Sequence, residues 1–230
     1  MNVVPVVPAN ASAQDILKTG VAAAGGPVKL ACSFSLEDVA IIELVKELGL
    51  DVGVFALDTG RLNEETYEVA DALTERYRIK IDWYFPRHEA VEKLEREKGL
   101  FSFRESLENR HECCHIRKVE PLGRALKDLK GWVTGMRREH GVTRGDLKAI
   151  EIDQVNGGIL KLNPLLDWSE EQLLAFAKER RLPQNRLLKE GYRSIGCAPC
   201  TRAVQPGEDA RSGRWWWENP EHKECGLHRR

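Results

Sequence analysis

The sequence contains no apolar run approaching the roughly 18 residues that a membrane-spanning helix needs, so no such helix is expected. It also lacks an excess of one charge. Its 35 Lys and Arg against 36 Asp and Glu leave a net −1, without the basic surplus of a dedicated nucleic-acid binder. The opening stretch MNVVPVVPANASAQD has no positive flank and carries two prolines, unlike a secretion signal. No internal repeat and no low-complexity tract is visible, and neither a P-loop nor a dinucleotide fingerprint occurs. What is present is a core-forming composition, 42% hydrophobic and 31% charged, over 230 residues. Six cysteines accompany it. Without an export signal, clustered thiols point to a reducing compartment, where they bind metal or react more often than they form disulfides. A soluble, cytoplasmic protein is expected.

Strand and helix signals alternate. VKLACSF (28–34), DVGVFALD (51–58) and IKIDWYF (79–85) have strand length and composition. Helical spacing follows each of them, over 35–49, 62–77 and 88–99, and a shorter helix is expected over Asp15 to Ala24 after an irregular arm. GWVTGM (131–136) reads as a further strand. AIEID and GILKLNP (149–164) read as a pair turning at Asn156-Gly157-Gly158. Ser169 is placed to cap a helix that stops before Pro183. This order predicts an α/β fold: a parallel twisted sheet flanked by helices, Rossmann-like, followed from about residue 186 by a loop-rich tail.

Charge is segregated along the chain. Residues 35–75 hold eleven acids and two bases, whereas 117–148 hold nine bases and four acids. Solvated helix faces account for such runs in most proteins. The alternative is an anionic ligand held by these bases together with Arg202, Arg211 and Arg214. In an open parallel sheet, ligands bind at the carboxyl ends of the strands. SFSLED (33–38) follows the first strand and opens a helix, so its amides and hydroxyls are placed to meet a phosphate. LDTGRL (57–62) ends the second strand, and Gly60 would let the backbone approach a flat base. Taken alone, Ser35 reads equally as a helix cap and Asp58-Thr59-Gly60 as an ordinary turn.

The cysteines carry more information. Cys113 and Cys114 are adjacent, and Cys197 and Cys200 form GCAPC. Two remote pairs make a four-thiolate site for zinc or an iron–sulfur cluster, with unligated buried thiols as the plain alternative. Neighbouring side chains reach a single tetrahedral ion poorly but can take separate corners of a cluster. Lys118 is expected about one helical turn beyond Cys114, where a cation would offset the negative charge of such a centre. Cys225, in KECGLH beside His222, Lys223 and His228, is either an incidental exposed thiol or one activated by nearby cations. Cys32, inside an apolar strand, reads as a core residue.

Taken in order, SFSLED, LDTGRL, ECC (112–114), GMRREH (135–140), GCAPC, RWWW (214–217) and KECGLH resemble the assimilatory adenylylsulfate (APS) reductases of the phosphoadenylylsulfate (PAPS) reductase family. The resemblance runs from about residue 28 to the end. LDTG is shared with related nucleotide alpha hydrolases, whereas the tandem cysteines, C-x-x-C and KECGLH together are specific. It implies an enzyme that reduces APS to sulfite and AMP in sulfate assimilation, feeding cysteine biosynthesis.

By motif, Ser33, Ser35, Leu57, Thr59 and Gly135 would contact adenosine and ribose. Lys118, Arg144, Arg211 and Arg214 would face the phosphosulfate. Cys113, Cys114, Cys197 and Cys200 would hold a [4Fe-4S] cluster, and Cys225 would be the nucleophile. The implied division is an arm and helix over 1–27, a nucleotide-binding iron–sulfur reductase domain over 28–200, and a lid over 201–230. Trp215, Trp216 and Trp217 are expected to pack the folded tail rather than stack on a base. With four thiols as ligands and Cys32 buried, no second cysteine remains to resolve a Cys225 adduct. An external dithiol, thioredoxin in this family, is therefore the expected electron donor.

Two departures stand out. The loop carries Phe34 and Leu36 where ATP-hydrolysing relatives of the fold carry glycines, and His140 stands where a Gln is often found. PAPS reduction, alone or alongside APS, is the nearest alternative function. An RNA-thiolating enzyme of the same fold is a remoter one, and a non-enzymatic zinc module a third. Neither a nucleic-acid partner nor a membrane is expected, and a homo-oligomer is left open.

Overall fold

A computed structural model describes residues 4–8, 10–140, 147–219, 223 and 227. Its frame is a six-stranded sheet in the order β3-β2-β1-β4-β6-β5. The strands are β1 (Val28–Cys32), β2 (Gly53–Leu57), β3 (Ile81–Tyr84), β4 (Gly131–Val133), β5 (Ile150–Asp153) and β6 (Ile159–Leu162). All neighbours pair in parallel except β5, which runs antiparallel to β6 across the Asn156–Gly158 turn. The sheet is thus mixed at one edge and parallel elsewhere.

The helices are α1 (Ala13–Ala24), α2 (Leu36–Glu47), α3 (Glu64–Tyr77), α4 (His88–Lys98), α5 (Leu107–Cys114), α6 (Glu120–Leu126) and α7 (Glu170–Arg180). They cover the sheet on both sides because its strands are apolar on both sides. On one side Leu30, Val54, Ala56, Val133 and Leu160 pack with Leu17 of α1, Ile41 and Leu44 of α2, Leu73 of α3 and Leu173 of α7. On the other, Phe55, Trp132 and Ile159 pack with Leu122, Ala125 and Leu126 of α6. Each fully buried large apolar side chain contributes about 2 kcal/mol. The Trp132 indole N–H is not left unpaired: it donates to Asp153 Oδ2 at 3.0 Å.

Two local features bear on function. The first strand stops at Cys32 rather than 34, because Phe34 takes a left-handed φ of 64° and Ser33 turns its donors toward Asp38. Helix α5 does not stop at Cys114. It passes through a widened π turn (His115–Val119) into α6. Pro121 has no N–H to give the Arg117 carbonyl one turn back, which favours such a widening. Lys118 sits in this turn.

Strand order reverses between β1 and β4, which lie side by side although five α-helices and two strands separate them in sequence. In open sheets of this kind the crevice opens outside the carboxyl ends at that point. Here the loops after Cys32, Leu57 and Val133 meet.

Candidate active site

A cleft of about 530 Å³ opens at this point, within the size range of small-molecule sites. Ser33, Ser35, Leu57, Thr59, Lys118, Gly135, Arg211 and Arg214 all line it, as does Cys197. Arg144 and Cys225, the other anion-facing base and the expected nucleophile, lie outside the described residues.

The loop after β1 is organised by a carboxylate. Ser33 donates its amide (2.6 Å) and its hydroxyl (2.7 Å) to Asp38 Oδ2. Asp38 is buried, and burial pushes its pKa up to about 6 against the opposing pull of the Ser33 hydrogen bonds. Ser35 caps α2, its hydroxyl accepting from the Asp38 amide. The two Ser33 donors are therefore already engaged by Asp38, whereas the Ser35 hydroxyl is engaged only as an acceptor. Gly135 must be glycine, since a Cβ there would fall 2.5 Å from Asp38 Oδ1. Beside this pair, Glu37 accepts from buried Arg137 at 3.0 Å, and Arg137 also reaches Glu139.

The loop after β2 faces the thiols. The Gly60 amide donates to Asp58 Oδ1 in a tight turn, and a Cβ on Gly60 would meet Arg117 rather than the cleft. The expected passage of a flat base over Gly60 is therefore not what this geometry offers. The Thr59 carbonyl accepts from Arg117 Nη1 at 2.8 Å, and the Thr59 hydroxyl and the Cys197 thiol share a 3.3 Å hydrogen bond. The Ala198 amide donates to the Arg61 carbonyl at 2.8 Å, so this loop and the GCAPC loop are bolted together.

Cys113, Cys197 and Cys200 lie in one buried cluster with Phe103, Leu94 and Trp215. Cys114 is close enough to influence Cys200, and each of the four thiols is about 8% exposed and free of disulfide bonding. Burial raises the Cys113 thiol despite nearby Arg61 and Arg117, and pushes Cys200 up to about 12, with the other three sulfurs adding to the rise. Cys197 behaves oppositely. Burial raises it, but Lys118, the Thr59 hydroxyl, Arg214 and Arg117 together hold it below the ordinary thiol value. Among the described residues, no three His, Cys, Asp or Glu side chains stand close enough to share one metal ion. Four soft, secluded sulfurs here stand near several cations, among them Lys118, Arg61, Arg117 and Arg214.

Beneath Cys113 lies an ion triad that the sequence did not signal. Arg61 and Arg117 each donate to Glu95 Oε1 at 2.6 Å, and all three are largely buried. Arg61 Nη1, Arg117 Nε and Glu95 Oε2 have no hydrogen-bond partner there. Two cations on one carboxylate leave a surplus positive charge next to the sulfurs.

The tail is clamped at Trp215. The Arg110 and Arg214 guanidinium groups stack on its ring at 4.8 and 4.6 Å, and its amide donates to the Cys200 carbonyl at 3.0 Å. Arg110, in the turn of α5 that precedes Cys113, is fully buried and forms a two-pronged pair with Glu218 at 2.9 Å. A Cβ on Gly196 would fall 2.4 Å from the Arg214 guanidinium, so a side chain before Cys197 would displace that group. Trp217 packs on Phe103 and Trp215 is buried, although Trp215 also borders the cleft. Arg202, expected among the anion-facing bases, instead forks onto Glu208 in the tail itself.

A profile described as "Phosphoadenosine phosphosulfate reductase domain" matches residues 27–203. The chain belongs to this family. The adenosine 5′-phosphosulfate reductase of Burkholderia cepacia is 50% identical over 201 residues, covering 87% of this chain and 80% of the relative. That of Allochromatium vinosum is 48% identical, covering 88% and 79%. Among solved structures, the phosphoadenylyl-sulfate reductase of Candida auris superposes with a TM-score of 0.70 at 27% identity, over 85% of this chain and 91% of that one. As a member of the PAPS reductase family, the chain carries the family's core from β1 through the GCAPC loop. No helix among its described residues is long and apolar enough to cross a membrane.

Proposed function

We propose that the protein reduces adenylylsulfate to sulfite and AMP as a cytoplasmic enzyme of sulfate assimilation. The supporting observation is the shared wall of cations and sulfur. Lys118, Arg211, Arg214 and Cys197 line one cleft with the nucleoside-facing positions Ser33, Leu57, Thr59 and Gly135. A nucleotide whose acidic end carries a sulfuryl group matches that distribution, and relatives at 50% and 48% identity are named for APS.

In this reading the thiolate of Cys225 attacks the sulfuryl sulfur. A sulfur–sulfur bond forms, the sulfur–oxygen bond to phosphate breaks, and AMP leaves with the electron pair. Lys118, Arg211 and Arg214, with Arg144, neutralise the leaving phosphate. The Cys225 S-sulfo group is then released as sulfite when an external dithiol of the thioredoxin class attacks the Cys225 sulfur. The dithiol becomes a disulfide and supplies both electrons. Cys113, Cys114, Cys197 and Cys200 would hold a [4Fe-4S] cluster, which would supply a fixed charge beside Lys118. Cys225 and Arg144 enter by motif. Thioredoxin enters by the family resemblance.

Mass spectrometry of protein mixed with APS and no reductant tests this directly. A sulfonated peptide containing residue 225, absent from Cys225→Ser, is the expected result; turnover retained by that variant would overturn it. The Candida auris relative supports one competing reading, PAPS as substrate. Comparing kcat/KM for the two nucleotides separates them, and a large preference for PAPS would reverse the assignment.

A further inference from the structure

Glu95 stands on α4, outside the cleft, yet it ties together two segments that bring functional residues to the cleft wall. Its Oε1 accepts at 2.6 Å from Arg61, in the loop after β2, and at 2.6 Å from Arg117, in the π turn between α5 and α6. Each arginine makes a second contact that fixes its own neighbourhood. Arg117 Nη1 donates to the Thr59 carbonyl at 2.8 Å. Arg61 Nη2 donates to the Leu100 carbonyl at 2.8 Å, and its guanidinium lies 5.0 Å from the centre of the Phe103 ring. Thr59 and Lys118 line the cleft, and each is within two residues of an arginine of this triad.

We propose that Glu95 is a positioning residue: by seating Arg61 and Arg117 on one oxygen it locks the Thr59 loop against the π turn, and so holds Lys118 toward the acidic end of the nucleotide. The inference rests on the reading of Lys118 as a base that meets that end. In a widened turn the regular i→i−4 ladder is interrupted, so the side-chain ties of Arg117 do more to fix the backbone at its neighbour Lys118. The carboxylate between the two guanidinium groups also offsets the repulsion that burying them together would bring. A purely electrostatic role for Glu95 has the opposite sign. Glu95 adds a negative charge to a positive neighbourhood, so its loss alone would make the region more attractive to an anion. Under a positioning role the same loss weakens the anion's binding.

Calorimetric titration of AMP into the purified protein separates these roles, using Glu95→Ala and Glu95→Gln, each with and without Lys118→Ala. Positioning predicts AMP binding about tenfold weaker in Glu95→Ala, the size of one hydrogen bond to a charged group. Glu95→Gln should recover much of the loss, because its amide oxygen still accepts from both arginines. In the Lys118→Ala background the Glu95→Ala change should cost little, since the base it positions is gone. Binding that is unchanged or tighter in both Glu95 variants would overturn the proposal in favour of a field effect. An equal loss with and without Lys118 would also sink it, since Glu95 would then shape the pocket as a whole. If Glu95→Ala does not fold, Glu95→Gln carries the same cycle, with an expected loss of about threefold that vanishes without Lys118. A Lys118→Ala variant that binds AMP like wild type would remove Lys118 from the nucleotide site, and both readings would fall together. A weakened Lys118→Ala beside unaffected Glu95 variants would bring down the positioning role alone.

Discussion

Thr59 and Cys197, far apart in sequence, share a 3.3 Å hydrogen bond between hydroxyl and thiol. The Thr59 oxygen already accepts from the Arg61 amide at 3.2 Å, so its proton is directed to sulfur when Cys197 is ionised. This bond is one of the contributions holding the Cys197 thiol down, after Lys118. Thr59→Val should raise the pH midpoint for alkylation of Cys197 in metal-free, reduced protein by about one unit, since a hydrogen bond to a charged group contributes about 1.5 kcal/mol. An unmoved midpoint would show that Lys118 and the arginines suffice.

Asp38 yields a pH dependence whose sign is unusual for a carboxylate. In the folded protein its pKa lies near 6, above the ordinary value of 3.8, with burial as the main cause. The native state therefore holds this proton more tightly than the unfolded chain. The group's contribution favours folding at pH 4 and declines as pH rises through 6, by about 3 kcal/mol in all. Asp38→Asn removes the titration. Urea unfolding at several pH values should show the Asn variant gaining on wild type between pH 4 and about 6.5. A constant difference across that range would refute the assignment.

The Arg110–Glu218 pair joins α5 to the tail with both partners secluded from water. Removing one member leaves the other charged and buried. Glu218→Ala should thus lose about 3 kcal/mol of unfolding free energy, and a double change to Arg110→Met with Glu218→Leu should restore much of it. A single variant as stable as wild type would mean that water reaches Arg110.

Burial and the neighbouring sulfurs hold Cys200 near 12, and burial raises Cys113 as well, so both carry protons at neutral pH in metal-free protein. Ligation requires thiolates. Reconstitution with ferrous iron and sulfide should release protons into a weakly buffered solution, and should become less favourable as pH falls. Cys200→Ser should lower iron content in the same preparation. Iron uptake that is flat with pH would argue that these thiols are not ligands.

Much of the frame is legible in sequence because its signals are local. The spacing of Val39, Ile42 and Val45 marks α2, Ser169 marks the start of α7, and Asn156–Gly158 marks the β5–β6 turn. The grouping of Cys113 with Cys197 and Cys200 follows from the two paired motifs. What stays hidden is set by three-dimensional neighbours. Glu95 looks like one more exposed acid of a charged helix until Arg61 and Arg117 converge on it from two other segments. Arg202 looks like an anion-facing base until its own loop supplies Glu208. Asp38 reads as an ordinary first-turn acid, since nothing in SFSLED says that its carboxylate folds back onto Ser33.

The self-satisfied turn at Ser33 and Asp38 also sets a compass for whatever enters the crevice. With an internal carboxylate seated at the start of α2, that end repels a ligand's negative pole, while Lys118, Arg211 and Arg214 attract it elsewhere along the same wall. A guest with one neutral and one acidic terminus has a single favourable heading, chosen before any of its atoms are recognised individually.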